Sequence, residues 1–199
     1  MIKLKKNRLI SFVIPARDEE KTVEVLATQI IDQINRLKLK YEIIFIDDGS
    51  KDTTYKILKK LSQKNKDIKV ISLRGSFGKS IALQTGFNHV KGEIVFTMDA
   101  DLQDDPNEIP KFIAKIDEGY DLVSGWKKIR HDPISKTFPS KIGNYIARKL
   151  TKLPIHDSNC GFKAYRKEVL DDLNLYGELY KYIPIFAKSN NFRVTEIVV

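Results

Sequence analysis

The chain has 199 residues, 42% apolar and 31% charged, a balance that suits one soluble domain with its own core and excludes fibrous or disordered classes. No stretch approaches the roughly 20 consecutive apolar residues of a membrane span, and the basic start "MIKLKKNRLISFVIP" runs into an apolar stretch too short for a secretory leader. Thirty-five basic against 26 acidic residues give a net charge of +9, which favours an anionic partner (a nucleotide, nucleic acid or an anionic membrane surface) without choosing among them.

In chain order, "LISFVIPA" (9–16) reads as a buried strand. A helical pattern follows through Val23, Leu26, Ile30, Ile34 and Leu37. "YEIIFIDD" (41–48) is a second strand, followed by a helix carrying Tyr55, Leu58 and Leu61. "IKVISL" (68–73) is a third, with a helix from about Lys79 to His89. "GEIVFTMD" (92–99) is a fourth, and "YDLVSG" (120–125) comes after a helix entered at Pro106. This alternation predicts an α/β fold, a mostly parallel sheet flanked by helices. Beyond it the pattern changes. Residues 126–152 carry eight lysines and arginines against one acid, Asp132, with a helix expected from about Ser140. A turn, "IHDSNCGF", then leads to short helices near 167–173 and 180–188 and a final strand, "FRVTEIVV".

The polar clusters "PARDEE", "DDGSKD" and "DADLQDD" all follow strands. In a parallel sheet they converge on the rim where ligands bind. In "MDADLQ", Asp99 and Asp101 stand at i and i+2; if strand geometry persists they share a face. Two such carboxylates suit a hard divalent cation, with Gln103 adding a neutral oxygen and diphosphate oxygens completing the shell. Asp104 and Asp105 read instead as caps of the helix at Pro106. Asp47 and Asp48 surface together before Gly49; a carboxylate there can accept from a nucleobase or ribose, or merely close a turn, with Ser50 or Asp52 capping the next helix. Pro15 shapes the first loop, and Glu19 and Glu20 suit the first turn of a helix. "RGSFGKS" lacks the spacing of an ATPase phosphate loop, yet places Lys79 or Arg74 near a diphosphate or in solvent. Cys160 has no partner for an internal disulfide, as befits a reducing cytoplasm, and no base beside it, so it reads as a packed side chain. His89, His131 and His156 form no recognisable metal cluster.

Taken together, "VIPARDEE", "EIIFIDDGSKDTT", "LRGSFGKSIALQTGF", "GEIVFTMDADLQDDP", "DLVSGWKK" and "DSNCGFKAYRKEVL" resemble family 2 glycosyltransferases of the GT-A fold. The likeness points to the branch of dolichol-phosphate mannosyltransferases and bacterial enzymes acting on undecaprenyl phosphate. It covers the chain from about Leu9 to Val199. The resemblance implies an inverting transfer from a nucleotide-diphosphate sugar, with Mg2+ or Mn2+, to a polyprenyl phosphate. By position, Pro15, Ala16, Arg17, Glu19, Asp48 and Lys79 would line the nucleotide pocket and Asp47 would hold the base. Asp99 would face the ribose or sugar phosphate, and Asp99, Asp101 and Gln103 would serve the metal. Lys127 and Lys141 would contact the acceptor phosphate, and Asp157 would lie near the reacting centre, assisting catalysis, positioning a lysine or forming an Asx turn. Arg17 stands where the family often has an aromatic, and Ser76 where asparagine is common. Residues 9–125 would then form a donor half and 126–199 an acceptor half of one catalytic domain. Relatives continue further, so a truncation before membrane-associated segments is expected.

The basic stretch is expected to meet the acceptor and the cytoplasmic face of a membrane, with Trp126, Ile134, Phe138, Ile142, Tyr145 and Ile146 toward a lipid tail. The bland alternative is a basic helix packed on the sheet. A sugar-1-phosphate nucleotidyltransferase would want a glycine-rich loop after the first strand, which "PARDEE" is not. A nucleic-acid binder is disfavoured because the acidic rim would repel phosphates.

Overall fold

The computed structural model describes residues 8–128 and 155–199. The helix expected near Ser140, together with Lys141, Ile134, Phe138, Ile142, Tyr145 and Ile146, lies outside them. Strands β1 (Leu9–Ala16), β2 (Lys40–Asp47), β3 (Ile68–Ser72), β4 (Ile94–Thr97) and β5 (Leu122–Trp126) alternate with helices α1 (Val23–Leu37), α2 (Thr54–Lys64), α3 (Lys79–Phe87) and α4 (Ile109–Asp117). Then come β6 (Lys163–Arg166), α5 (Glu168–Asp171), α6 (Ile183–Ser189) and β7 (Val194–Val198).

The seven strands form one sheet in the order β3-β2-β1-β4-β6-β5-β7. β1 runs parallel to β2 and β4, β2 to β3, and β5 to β7. β6 is antiparallel to both its neighbours, β4 and β5. The direction of β6 matters for the site. Because it runs against the others, its first residue, Lys163, pairs with Thr97 at the end of β4 and with Ser124 of β5. The loop entering β6 therefore lands on the rim that receives the loops leaving β1, β2 and β4.

Alternation along the strands builds the two layers. Ile10, Phe12 and Ile14 of β1 and Ile43 and Phe45 of β2 pack in one core with Leu26 and Ile30 of α1 and Phe112 of α4. Val13, Ile44 and Ile46 face the other way, onto Ala82 and Leu83 of α3 and Ile183 of α6. The first core carries a run of aromatic contacts, Phe12–Phe96 at 5.3 Å and Phe112–Phe162 at 4.3 Å between ring centroids. Each fully buried phenylalanine contributes about 1.5–3 kcal/mol over its exposed state. Helix α1 stops at Lys38, which turns left-handed (φ 55°) and closes its N–H on the carbonyls of Ile34 and Asn35.

Three expectations need correction. β4 ends at Thr97, so Asp99 and Asp101 stand in a turn rather than on a continued strand. Asp105 does cap the 3-10 turn at Pro106, accepting from the Asn107 N–H at 2.9 Å, but Asp104 is no cap: it is 3% exposed and ion-paired to Lys127. β6 sits where the sequence reads as a turn followed by a helix. Four residues, Lys163–Arg166, are too few to display a period.

Candidate active site

The rim is stitched together by acids acting on neighbouring backbone. Asp18, left-handed at φ 56°, donates its N–H to Ser50 Oγ (3.0 Å) and accepts from the Lys51 N–H (2.7 Å). Glu20 accepts from both the N–H and the hydroxyl of Thr53. Asp52 accepts from the N–H groups of Glu20 and Thr54, the latter as the expected helix start. The hydrogen bonds from Thr53 hold the Glu20 carboxyl below its ordinary value despite its exposure. The loops after β1 and β2 thus behave as one body.

Asp48 reaches across to the next loop. Its carboxylate accepts from the N–H groups of Phe77 (2.7 Å) and Gly78 (3.0 Å) and from Ser76 Oγ (3.1 Å). Gly49 makes the approach possible. It has φ 71°, and a Cβ there would lie 2.6 Å from the Gly75 carbonyl carbon. Asp47 turns inward instead, 3% exposed, accepting from the Ser50 N–H and Ser72 Oγ. The two aspartates of "DDGS" therefore part company: Asp48 borders the open space, and Asp47 does not.

That space is a cleft of about 340 Å³ lined by Pro15, Ala16, Arg17, Glu19, Asp48, Gly78, Lys79, Ala82, Asp99, Ala100 and Asp101. It lies beyond β1 and β4, adjacent parallel strands whose chains leave toward opposite edges of the sheet, which is where open α/β sheets bind ligands. Its size suits a small-molecule ligand. Of the residues predicted for a nucleotide, Pro15, Ala16, Arg17, Glu19, Asp48, Lys79 and Asp99 are brought together here. Gly78, Ala82 and Ala100 join them without having been singled out. They flank the predicted motifs, and their small side chains carry no chemical signature.

Asp99 and Asp101 share this cleft although no strand holds them. A turn does: Leu102 adopts φ 63°, and the Gln103 N–H donates to Asp101 Oδ1 at 3.1 Å. Lys79 Nζ ion-pairs with Asp99 Oδ1 and lies 5.0 Å from the centre of the Tyr180 ring. Two hard carboxylates facing one cleft fit Mg2+ or Mn2+. Among the described residues no group of three or more His, Cys, Asp or Glu side chains converges, so a cation held there takes its remaining oxygens from ligand or water. Gln103 is exposed and absent from the cleft wall, which leaves its predicted metal role without geometric support.

The acceptor-side predictions fare differently. Lys127 ion-pairs with Asp104 at 2.8 Å. Burial opposes its charge, but the Asp104 carboxylate outweighs that cost and raises its pKa; burial likewise raises that of Asp104, against the pull of Lys127. This pairing competes with the role predicted for Lys127 at an acceptor phosphate. Asp157, 6% exposed, accepts from the Asn159 N–H at 3.0 Å, the Asx turn named among its alternatives. Trp126 stacks on His156 at 4.2 Å, and His156 Nδ1 contacts Glu196, so the indole already has a partner. Cys160 is 2% exposed and burial pushes its thiol up to about 11, which rules out a ready nucleophile. Lys163 was not foreseen at all: it is 3% exposed, and burial pulls its pKa down.

The mixed sheet with its cleft at this rim is a GT-A fold. The model for glycosyl transferase family 2 matches residues 11–173, and the chain belongs to that family. It is similar to undecaprenyl-phosphate 4-deoxy-4-formamido-L-arabinose transferase of Salmonella choleraesuis (strain SC-B67), 36% identical over 191 residues, which are 96% of this chain and 58% of that relative. The chain thus spans little more than half the length of that relative. Among solved structures, glucosyl-3-phosphoglycerate synthase from Mycobacterium tuberculosis, in complex with Mn2+, UDP-Glc and phosphoglyceric acid, aligns with TM-score 0.71 at 22% identity over 96% of this chain and 70% of the other. A mannosyltransferase from Pyrobaculum calidifontis, in complex with GDP-Man and Mn2+, aligns with TM-score 0.68 at 21% identity over 98% and 57%. These two likenesses establish the fold. Among the described residues, no helix is long and apolar enough to cross a membrane.

Proposed function

We propose that this chain transfers a sugar, with inversion, from a nucleotide-diphosphate sugar to a polyprenyl phosphate at the cytoplasmic face of a membrane. Residues 9–125 serve as the donor half and 126–199 as the acceptor half. The observation that carries the reading is the shared cleft: loops distant in sequence bring Asp99, Asp101, Arg17, Lys79 and Asp48 around one space of small-molecule size. The relative acting on undecaprenyl phosphate supports the acceptor class.

The chemistry follows from the charges. An acceptor monophosphate has a second pKa of about 6, so at neutral pH it is largely a dianion and attacks the anomeric carbon without a general base. Attack from the face opposite the diphosphate inverts that carbon. The protein's work is alignment and charge management. Asp99 and Asp101 would hold the divalent cation, which when bound stabilises the departing diphosphate as a Lewis acid. Lys79 and Arg17 both line the cleft and favour the donor's anionic groups. Lys79, ion-paired with Asp99 in the structure, would be released to the donor's anionic groups were that carboxylate to hold the cation.

Calorimetry with UDP and GDP, with and without Mn2+, tests this. One of the two nucleotides binds in a metal-dependent way, and Asp101→Ala abolishes the metal-dependent part. Equal affinity with and without Mn2+ in the unaltered protein would overturn the site assignment. Co-sedimentation with anionic vesicles checks the membrane face, and a protein left in the supernatant would count against it.

A further inference from the structure

Lys163 is buried and unused by the chemistry above. A lysine hidden to 3% exposure is rare unless something pairs with it. Its amino group donates to two backbone carbonyls, those of Ser158 (3.1 Å) and Cys160. Both belong to the turn that precedes β6. The same turn is grasped from the other side by Thr97, whose hydroxyl donates to the Gly161 carbonyl at 2.7 Å. What the turn sets against Asp99, which does line the cleft, is Gly161. A Cβ on that glycine would lie 2.4 Å from Asp99 Oδ2 and 2.6 Å from its Oδ1 and Cγ. The bare backbone of Gly161 is thus the wall against which the Asp99 carboxylate rests.

We infer that Lys163 is a positioning residue for the donor cleft, clamping the 158–161 turn so that Gly161 fixes the Asp99 carboxylate where it faces Asp101 and the ligand. The inference rests on the proposed function, since it gives Asp99 a cation to meet. The logic is one of reach. Asp99 lies beyond the end of β4, its N–H on Asp104 Oδ2 (3.3 Å) and one carboxylate oxygen on Lys79; a cation that displaced Lys79 would leave the carboxylate in need of a further restraint to keep the orientation that metal sharing needs. β6 supplies the restraint because it runs antiparallel and begins at this rim. A lysine, rather than an apolar residue, performs the task because two carbonyls of one turn need donors and its amino group supplies them.

The test is the metal-linked gain in nucleotide affinity, the ratio of dissociation constants without and with Mn2+, measured by calorimetry on folded protein. Lys163→Met lowers that ratio about tenfold while metal-free nucleotide affinity stays within twofold. Thr97→Val, the gentler change at the same turn and the arm that remains if Lys163→Met does not fold, lowers it about threefold. Combining Lys163→Met with Gly161→Ala costs no more than the worse single change, because both act through one contact. A merely structural role for Lys163 would lower the melting temperature and leave the ratio untouched. An unchanged ratio in Lys163→Met or, failing that, in Thr97→Val overturns the inference, as does full additivity in the double variant. No metal-linked gain in the unaltered protein overturns the proposed function and this inference together.

Discussion

Two pairs of aspartates stand at the ends of parallel strands that flank β1, and they have opposite fates. At the end of β2, Asp47 and Asp48 are buried and all their described contacts are internal: Asp47 accepts from Ser50 and Ser72, Asp48 from Ser76, Phe77 and Gly78. Beyond β4, Asp99 and Asp101 face the open cleft, one paired with Lys79, the other holding only the Asx turn at Gln103. The first pair is mortar between loops. The second is left available to a ligand, and the difference lies in how many protein donors each carboxylate meets.

The contrast is open to disruption, and the effects on stability should fall in a definite order. Asp48→Ala should cost the most, about 3 kcal/mol in urea unfolding, because it takes the acceptor from two part-buried N–H groups and a hydroxyl at once and unties the loop after β3. Glu42, on β2 well before the rim, extends the mortar class: it accepts from Ser11, Lys69 and the Lys91 N–H, and Glu42→Gln should cost about 2 kcal/mol. Burial tends to raise the pKa of Glu42, but those donors prevail and lower it from its ordinary 4.5. Its contribution is therefore complete above that ordinary value and is lost as pH falls through the depressed folded value. Acid unfolding of Glu42→Gln should accordingly lack part of the wild-type slope.

Asp47→Ala ranks next at about 1.5 kcal/mol, having fewer donors to orphan. At the bottom, Asp101→Ala should change stability by no more than about 0.5 kcal/mol while removing the metal-dependent nucleotide affinity. A stability loss in Asp101→Ala matching that of Asp48→Ala would erase the distinction. On the acceptor side, Lys127 offers a sharper variant of the same question. Burial opposes its charge, yet Asp104 raises its pKa above the ordinary 10.5. The stability it contributes is complete below that value and is lost as pH rises through the higher folded one. Alkaline melts of Lys127→Met should lack this loss.

Much of the donor side was legible in the residues. The bounds of β1 and α1, the buried run of β2 and the start of α3 at Lys79 follow from the placing of apolar residues and from the polar clusters that interrupt them. Seven of the eight residues assigned to a nucleotide border the cleft, since a loop that leaves a parallel strand can only reach the rim. Asp47 misled because side chains alternate: one step along the chain turned the carboxylate from the cleft to the interior. Asp104 misled because its partner, Lys127, is 23 residues away, beyond any local capping signal.

Local chemistry along the chain settled the described strands other than β6, the amphipathic helices, the acidic rim and the kinship with family 2, because each of these is written in the spacing of neighbouring residues. Folding in three dimensions assigned β6 its antiparallel place, sent Asp48 rather than Asp47 to the cleft, joined Asp104 to Lys127 and set Lys163 beneath the turn that carries Gly161. These outcomes depend on partners far apart in sequence, and the contact that decides each one comes into being when the sheet closes around it.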